Sequence, residues 1–409
     1  MPDIPFGSQI FDLAFHPTAS VVYTGQLTGH IAAFSYNDET GAHTERFTHR
    51  PSKRSCRGLQ LNEDGSRLWT VGKAKCLHAL DTSTGELVET RESAHEVPIN
   101  RITRCMQHLL ATGDDDGVIK LWDPRKEGAV RTYTQHFDFI SDFAWLEDKK
   151  QLVATSGDGT LSVMDVRAKK TEPSAQSEDQ EDELLSILPI KGGSKVVVGT
   201  QLGILSVFNR KKGWGDCVDR VPGHPHSIDA LCALPSSYPS SSSTILTGSS
   251  DGLLRAVELF PTRLIGVIAD HGEFPIERIA IDRAGEGHWV GSVGHDEVLR
   301  MTDLREVFED EDGNEKENTE EREASSSDGE GDEAEPRGAQ ASLKRAKEDS
   351  DEVSQKGAAE TDAHSDVEDS DEGVKEKRKK RRKKDKLSGR EAKRGKNEVE
   401  ADKSFFSGL

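Results

Sequence analysis

Residues 110–123, LATGDDDGVIKLWD, read as strand, tight turn, strand. Leu110 to Thr112 favour an extended backbone, and the Asp-Asp-Gly at 115–117 supplies a turn in which glycine accepts positive φ. Val118, Ile119 and Leu121 resume the strand, which Trp122 and Asp123 close. One such hairpin buries too little apolar surface to stand alone, so the chain must hold copies. Clear copies are TSGDGTLSVMD at 155–165 and TGSSDGLLRAVE at 247–258. Fainter ones lie at 24–35, 71–81, 198–209 and 291–303. The positions equivalent to Asp123 are Ser35, Asp81, Asp165, Asn209, Glu258 and Asp303, and successive anchors stand 42 to 49 residues apart.

A period of ~40–45 residues with a glycine-rich turn and a Trp-Asp ending is the mark of the WD repeat. The chain resembles the WD-repeat family over roughly residues 6–308, with seven copies, of which only the one ending in Trp122-Asp123 has the full pair. The expected fold is all-β: a seven-bladed WD40 β-propeller over 1–308 with a disordered, charged C-terminal tail. Blade one is expected to begin near Ile10. Segments such as Ile10–Pro17, Arg57–Asn62, Ile140–Trp145, Ile228–Pro235 and Ile276–Asp282 are expected as innermost strands, packed on both faces and therefore more apolar than the outer ones. Two polar stretches that interrupt the period, 169–183 and 236–243, read as surface loops, the first in place of a good outer strand, so that blade four is expected to have only a ragged fourth strand.

The resemblance also implies a recurring polar network. In WD repeats a histidine at the end of each blade bonds the aspartate of the turn, with a Ser/Thr and a Trp. His95, Thr112, Asp116 and Trp122 match best. His136 with Asp158, and His224 with Asp251, keep part of it, but Met164 and Val257 stand where Trp would be. His49 and His271 fall at the corresponding places in other copies.

Hydrophobic residues make up 33% of the chain, low for a wholly globular protein of 409 residues, so a large polar segment is expected. The five cysteines are scattered, with no C-x-x-C, which argues against a disulfide framework or zinc site and for a reducing compartment. The first residues lack the basic-then-apolar pattern of a signal peptide, and no apolar run approaches ~18 residues. No membrane association is expected. Net charge is −20, of which −9 belongs to 309–409, leaving −11 on the body. A body of that sign argues against broad electrostatic binding to nucleic acid.

Residues 309–374 have 25 acidic and 7 basic side chains and almost nothing large and apolar, so they cannot offset chain entropy by burial. Ser325, Ser327 and Ser365 each have an acid three residues on, which suits an acid-directed kinase. The final segment, 375–409, opens with nine cations in ten residues: Lys375, Lys377, Arg378, Lys379, Lys380, Arg381, Arg382, Lys383 and Lys384. Such a block reads as a signal for an import receptor and as a weak, non-specific hold on RNA phosphates. No aromatics interleave it, so base-specific reading is not expected. The chain ends with Phe405, Phe406 and Leu409, an apolar knot of the kind that docks into a groove.

No catalytic constellation, cofactor motif or small-molecule site is present in the sequence: H-E-x-x-H, a P-loop and G-x-S-x-G are all missing. Three repeats end in x-Asp-x-Arg, with Asp123-Pro124-Arg125 and Asp165-Val166-Arg167 the first two. These endings resemble the motif by which some WD proteins dock on the cullin-four ubiquitin ligase adaptor. The plainer reading is an arginine paired with its own blade's carboxylate.

Taken together, IFDLAFHP near the start, ATGDDDGVIKLWDPR, and the KSFF terminus resemble the nucleolar WD-repeat proteins of ribosome biogenesis. That resemblance implies a non-enzymatic scaffold in the nucleus and nucleolus, with pre-ribosomal proteins as partners and a role in ribosomal RNA processing. A substrate receptor of the cullin-four ligase is the alternative.

Overall fold

A computed structural model describes residues 2–308 apart from Pro239. They form seven four-stranded antiparallel sheets, the blades of a β-propeller. Blade one is Ile10–Phe15, Val21–Gln26, Ile31–Tyr36 and His43–His49. Blade three, from the best-marked repeat, is Ile99–Met106, Leu109–Asp114, Ile119–Trp122 and Ala129–Tyr133. Within each blade the strands are a to d from the axis outward. The a–b and c–d turns lie on one face of the ring, the bottom. The b–c turns and d–a connections lie on the other, the top.

The repeated hairpin is stable because its neighbours cover it. Seven apolar clusters occupy the seven seams between adjacent blades. Tyr23 and Ile31 of blade one pack on Leu59 and Leu80 of blade two. Ile119 and Leu121 of blade three pack on Ile140 and Leu152 of blade four. The tight b–c turn needs glycine: Gly117 has φ +79°, and a Cβ there would stand 2.8 Å from the carbonyl oxygens of His136 and Asp138.

Ring closure uses a strand that lies before the first repeat. Asp3–Pro5 pairs antiparallel with Val298–Arg300, supplying the outer strand of blade seven, with Ile4 opposite Leu299. Arg300 Nη1 donates to Asp3 Oδ2 at 2.8 Å. Around the same seam Tyr36 Oη donates to Asp282 Oδ2 at 3.2 Å, and Trp289 Nε1 to the Asp38 carbonyl at 2.8 Å.

One expectation needs correction. The a strands are not the most buried. In Ile10–Phe15 and Cys56–Leu61 the second and fifth residues are only half-buried, whereas Val21–Gln26 and Thr244–Ser249 are buried throughout. The polar interruptions are loops tied to the blades, and the fourth strand of blade four is as ragged as expected. Ser174, Ser177 and Gln180 donate their amides to Val163, Leu161 and Gly159, so the 169–183 stretch runs beside strand c of blade four around a two-residue d strand, Ala175–Gln176. In the 236–243 stretch, Tyr238 packs on Phe308 with ring centroids 5.4 Å apart. That stretch is thereby tied to the single helical turn at 304–308.

Candidate docking surface at the channel mouth

Every a strand has a β-bulge after its first residue. The register skips between Ile10 and Asp12, Cys56 and Gly58, Ile99 and Arg101, Ile140 and Asp142, Leu184 and Ser186, Ile228 and Ala230, and Ile276 and Arg278. A bulge leaves one residue out of the ladder and re-aims its neighbours. The seven skipped residues are Phe11, Arg57, Asn100, Ser141, Leu185, Asp229 and Glu277. All seven line one cavity of about 780 Å3 at the top of the channel. Lys53, Arg54 and Lys73 line it from the loops of blades one and two, and Leu27, Asp138 and Phe139 join them. Arg57 Nη1 donates to Asp115 Oδ1 at 2.9 Å and to Asn100 Oδ1 at 2.5 Å. On the far side, Asp229 accepts from Ser250 and Ser227 at 2.6 and 3.1 Å, and burial pushes its carboxyl above the usual range.

The residues after the bulges close the channel below this mouth. Arg278 Nη1 stands 3.2 Å from Asp142 Oδ1, and its Nε 3.4 Å from Asp12 Oδ1. Both carboxylates also accept an amide from the next blade, Asp12 from Leu59 at 2.6 Å and Asp142 from Ile187 at 3.4 Å. Burial raises the Asp12 pKa against the pull of Arg278 and Arg101. Burial also disfavours the Arg278 cation, but Asp142 and Asp12 outweigh it and raise its pKa.

The top face carries four exposed large apolar side chains. Phe137 is 90% exposed, Leu202 57%, Phe274 50% and Leu27 45%. Phe137 and Phe274 sit in d–a connections, Leu27 and Leu202 in b–c turns. These side chains stand on fixed backbone. His136 Nδ1 is 2.9 Å from Asp158 Oδ2 and its Nε2 2.7 Å from Ser162 Oγ, and the same Asp158 oxygen accepts the Phe137 amide at 3.0 Å. The Asp158 side chain is only 11% exposed, and although burial works against its charge, His136 and Thr160 hold its pKa well below the usual range. Three residues before Phe274, His271 is anchored likewise, 2.7 Å from Asp296 and from Ser292.

In blade three the network is a directed chain. Trp122 Nε1 donates to Thr112 Oγ1 at 2.8 Å. Thr112 therefore has its own proton for His95 Nε2 at 2.7 Å, which leaves Nδ1–H for a carboxylate at 2.7 Å. That carboxylate belongs to Asp114, not to Asp116 as expected. Asp116 only gives its amide to Asp114 Oδ1 at 3.1 Å. Asp114 also accepts the Val118 amide, so it organises the turn and the histidine together. Burial lowers the His95 pKa and keeps the ring neutral. In blade six His224 Nε2 meets Thr247 Oγ1 at 2.9 Å, but Asp251 is claimed by Arg255 at 3.0 and 2.6 Å. Asp296 carries no clear sequence signal because its repeat reads GHDE where blades three, four and six place Asp-Gly.

On the bottom rim, Arg125 Nε and Nη2 grip the two oxygens of Asp123 at 2.9 Å each and hold that carboxyl at about 2. Arg167 and Asp165 repeat the fork at 3.0 and 2.8 Å, as do Arg305 and Asp303. The arginine side chains of the first two forks remain 64% and 61% exposed. Among the described residues there is no cluster of three or more His, Cys, Asp or Glu able to hold a metal ion, and no helix long and apolar enough to cross a membrane. The serines at 325, 327 and 365, the cations of 375–384, and Phe405, Phe406 and Leu409 lie outside the described residues.

The family model described as WDR55 matches residues 1–307. The chain is 64% identical over 310 residues to the WD repeat-containing protein JIP5 of Coprinopsis cinerea, covering 75% of each chain. It is 36% identical over 312 residues to the WD repeat-containing protein 55 of Rattus norvegicus, covering 76% of this chain and 78% of that one. To the protein of the same name in Arabidopsis thaliana it is 36% identical over 311 residues, covering 75% and 84%. With seven blades and a family match spanning the whole propeller, the chain belongs to the WDR55 family of WD-repeat proteins.

Proposed function

We propose that this protein is a non-enzymatic scaffold of the nucleus and nucleolus that supports ribosome biogenesis and ribosomal RNA processing by docking pre-ribosomal proteins at the top of its propeller. The observation that carries this is the set of exposed apolar side chains on the top face, Phe137, Leu202, Phe274 and Leu27, the last of which lines the mouth of about 780 Å3. Exposed apolar surface concentrated on one functional face marks an interaction site. The occupant that fits is an extended protein segment with apolar anchors and an acidic flank lying toward Lys53, Arg54 and Lys73. Retention in the nucleolus is assigned to the cations of 375–384, which engage an import receptor and hold RNA weakly.

The test replaces the endogenous gene by one encoding Phe137→Ser with Phe274→Ser. Ribosomal RNA precursors are expected to accumulate while protein level and nucleolar position stay unchanged. Normal processing would overturn the assignment to the top face. Separately, deleting 375–396 is expected to disperse the protein, and persistence in the nucleolus would overturn that half.

A second reading rests on the matching forks at Asp123–Arg125 and Asp165–Arg167 on neighbouring blades, with exposed guanidinium edges. It makes the protein a substrate receptor of the cullin-four ligase. Arg125→Ala with Arg167→Ala then abolishes recovery of the adaptor. Unchanged recovery removes the reading.

A further inference from the structure

The propeller body has a net negative charge, but its charges are sorted. In blades four and five the acidic stretch at 178–183 lies in the d–a connection, on the top face. The bottom turns of the same two blades, 147–150, 165–174, 191–195 and 210–216, hold ten cations and five carboxylates. Most of those carboxylates are already neutralised. Glu147 pairs with Lys150, Asp148 with Arg210 at 3.0 Å, Asp165 with Arg167 at 2.8 Å, and Asp216 with Arg220 at 4.0 Å. The Arg210 bridge also fastens the bottom of blade five to that of blade four, so the two sets of turns form one surface.

What remains is lysine. Lys169, Lys170, Lys211 and Lys212 are exposed and take part in no salt bridge among the described residues. At the blade-six end the surface finishes on an aromatic ring: the Lys195 and Lys191 ammoniums stand 3.8 and 4.3 Å from the Phe260 centroid.

We propose that this bottom-face crescent of blades four and five binds the phosphate backbone of single-stranded RNA. The cations left over are flexible lysine point charges, whereas the planar arginine forks that suit carboxylates are occupied within the protein. Lysines dispersed along two adjacent turns neutralise a string of phosphates and release counterions. A half-buried aromatic at the edge of a basic track is the common accompaniment for single strands, without base selection. The site is independent of the channel mouth and of the basic run at 375–384.

The test uses the full chain and a fluorescein-labelled mixed-sequence RNA 30-mer, followed by anisotropy across 50–200 mM salt. To remove the other basic block, the cations of 375–384 are first replaced by glutamine. That protein is expected to bind the RNA still. Adding Lys169→Glu, Lys170→Glu, Lys211→Glu and Lys212→Glu is expected to weaken binding at least tenfold. It should also flatten the log–log salt slope by about 3, at ~0.7 per phosphate contact. Because all four side chains are exposed, the thermal midpoint should not move. The milder replacement of all four by alanine should give an intermediate loss. Equal affinity before and after charge reversal overturns the proposal. So does an RNA that fails to bind while a poly-glutamate peptide binds through these lysines, which would make the crescent a seat for an acidic protein segment.

Discussion

The Arg278 guanidinium reaches within 3.2 Å of Asp142, a residue 136 positions earlier in the chain and three blades away around the ring. It meets Asp12 of the neighbouring blade at 3.4 Å on the way. One cation thus ties together blades that share no seam. Removing it would leave two carboxylates, 5% and 7% exposed, with Arg101, 3.6 Å from Asp142, as their one remaining cation in this cluster. Breaking a buried pair costs ~3–5 kcal/mol where the remaining charge is uncompensated, and less where a second cation such as Arg101 stays beside it.

Arg278→Met should therefore lower unfolding free energy by about 2–3 kcal/mol, less than for a dry pair because the arginine side chain is itself 26% exposed. Asp12→Asn and Asp142→Asn in the same protein should recover most of the loss. Urea denaturation of the four proteins measures both steps. A stable single mutant would show that the cluster is dispensable.

The second prediction separates two adjacent aspartates. Asp114 is 2% exposed, accepts from His95 and receives two turn amides, whereas Asp116 keeps no side-chain bond among the described residues. Asp114→Ala strips a buried histidine and a turn of their acceptor at once and should cost about 2–3 kcal/mol. Asp116→Ala should stay within about 0.5 kcal/mol. Equal costs in chemical denaturation would contradict the hydrogen-bond chain described above.

This pair also shows where the sequence stops being legible. The hairpin at 110–123 identifies the repeat, its period yields seven blades, and His95 with Thr112 and Trp122 is what the resemblance to WD repeats implies. Which aspartate answers the histidine depends on a shift of two residues inside the turn, and three consecutive aspartates leave no sign of it. Asp3–Pro5 was invisible for a similar reason. Three residues including a proline carry almost no strand signal, and the strand forms only because the edge of blade seven is open to it. The bulges were hidden too, since a register skip changes where Phe11 or Glu277 points without changing the apolar rhythm around it. The mouth residues consequently read as ordinary strand positions.

A third prediction concerns the rim forks. Asp123 is satisfied by Arg125, whose side chain faces solvent, and exposed pairs of this kind contribute little to stability. Arg125→Ala should leave the thermal midpoint unchanged. Any loss of adaptor recovery in that variant would then report binding and not unfolding.

The last prediction concerns acid. His224 is buried, and burial together with the nearby Arg255 cation pushes its pKa down to about 3. In the unfolded chain the same ring takes a proton near 6.5. Between those values the unfolded state binds the extra proton, so stability is complete above about 6.5 and declines as pH falls. At pH 5 the loss from this group should be about 2 kcal/mol relative to pH 8. His95 adds in the same direction, since burial lowers its pKa as well. His295 opposes them: Glu277 raises its pKa, so its contribution is present below about 6.5 and fades as pH rises through the raised value. His224→Gln keeps a group able to meet Thr247 and cannot titrate. Urea midpoints at pH 8, 6.5 and 5 should therefore fall less steeply in that variant than in the parent. Identical slopes would mean that His224 does not stay neutral in the folded ring.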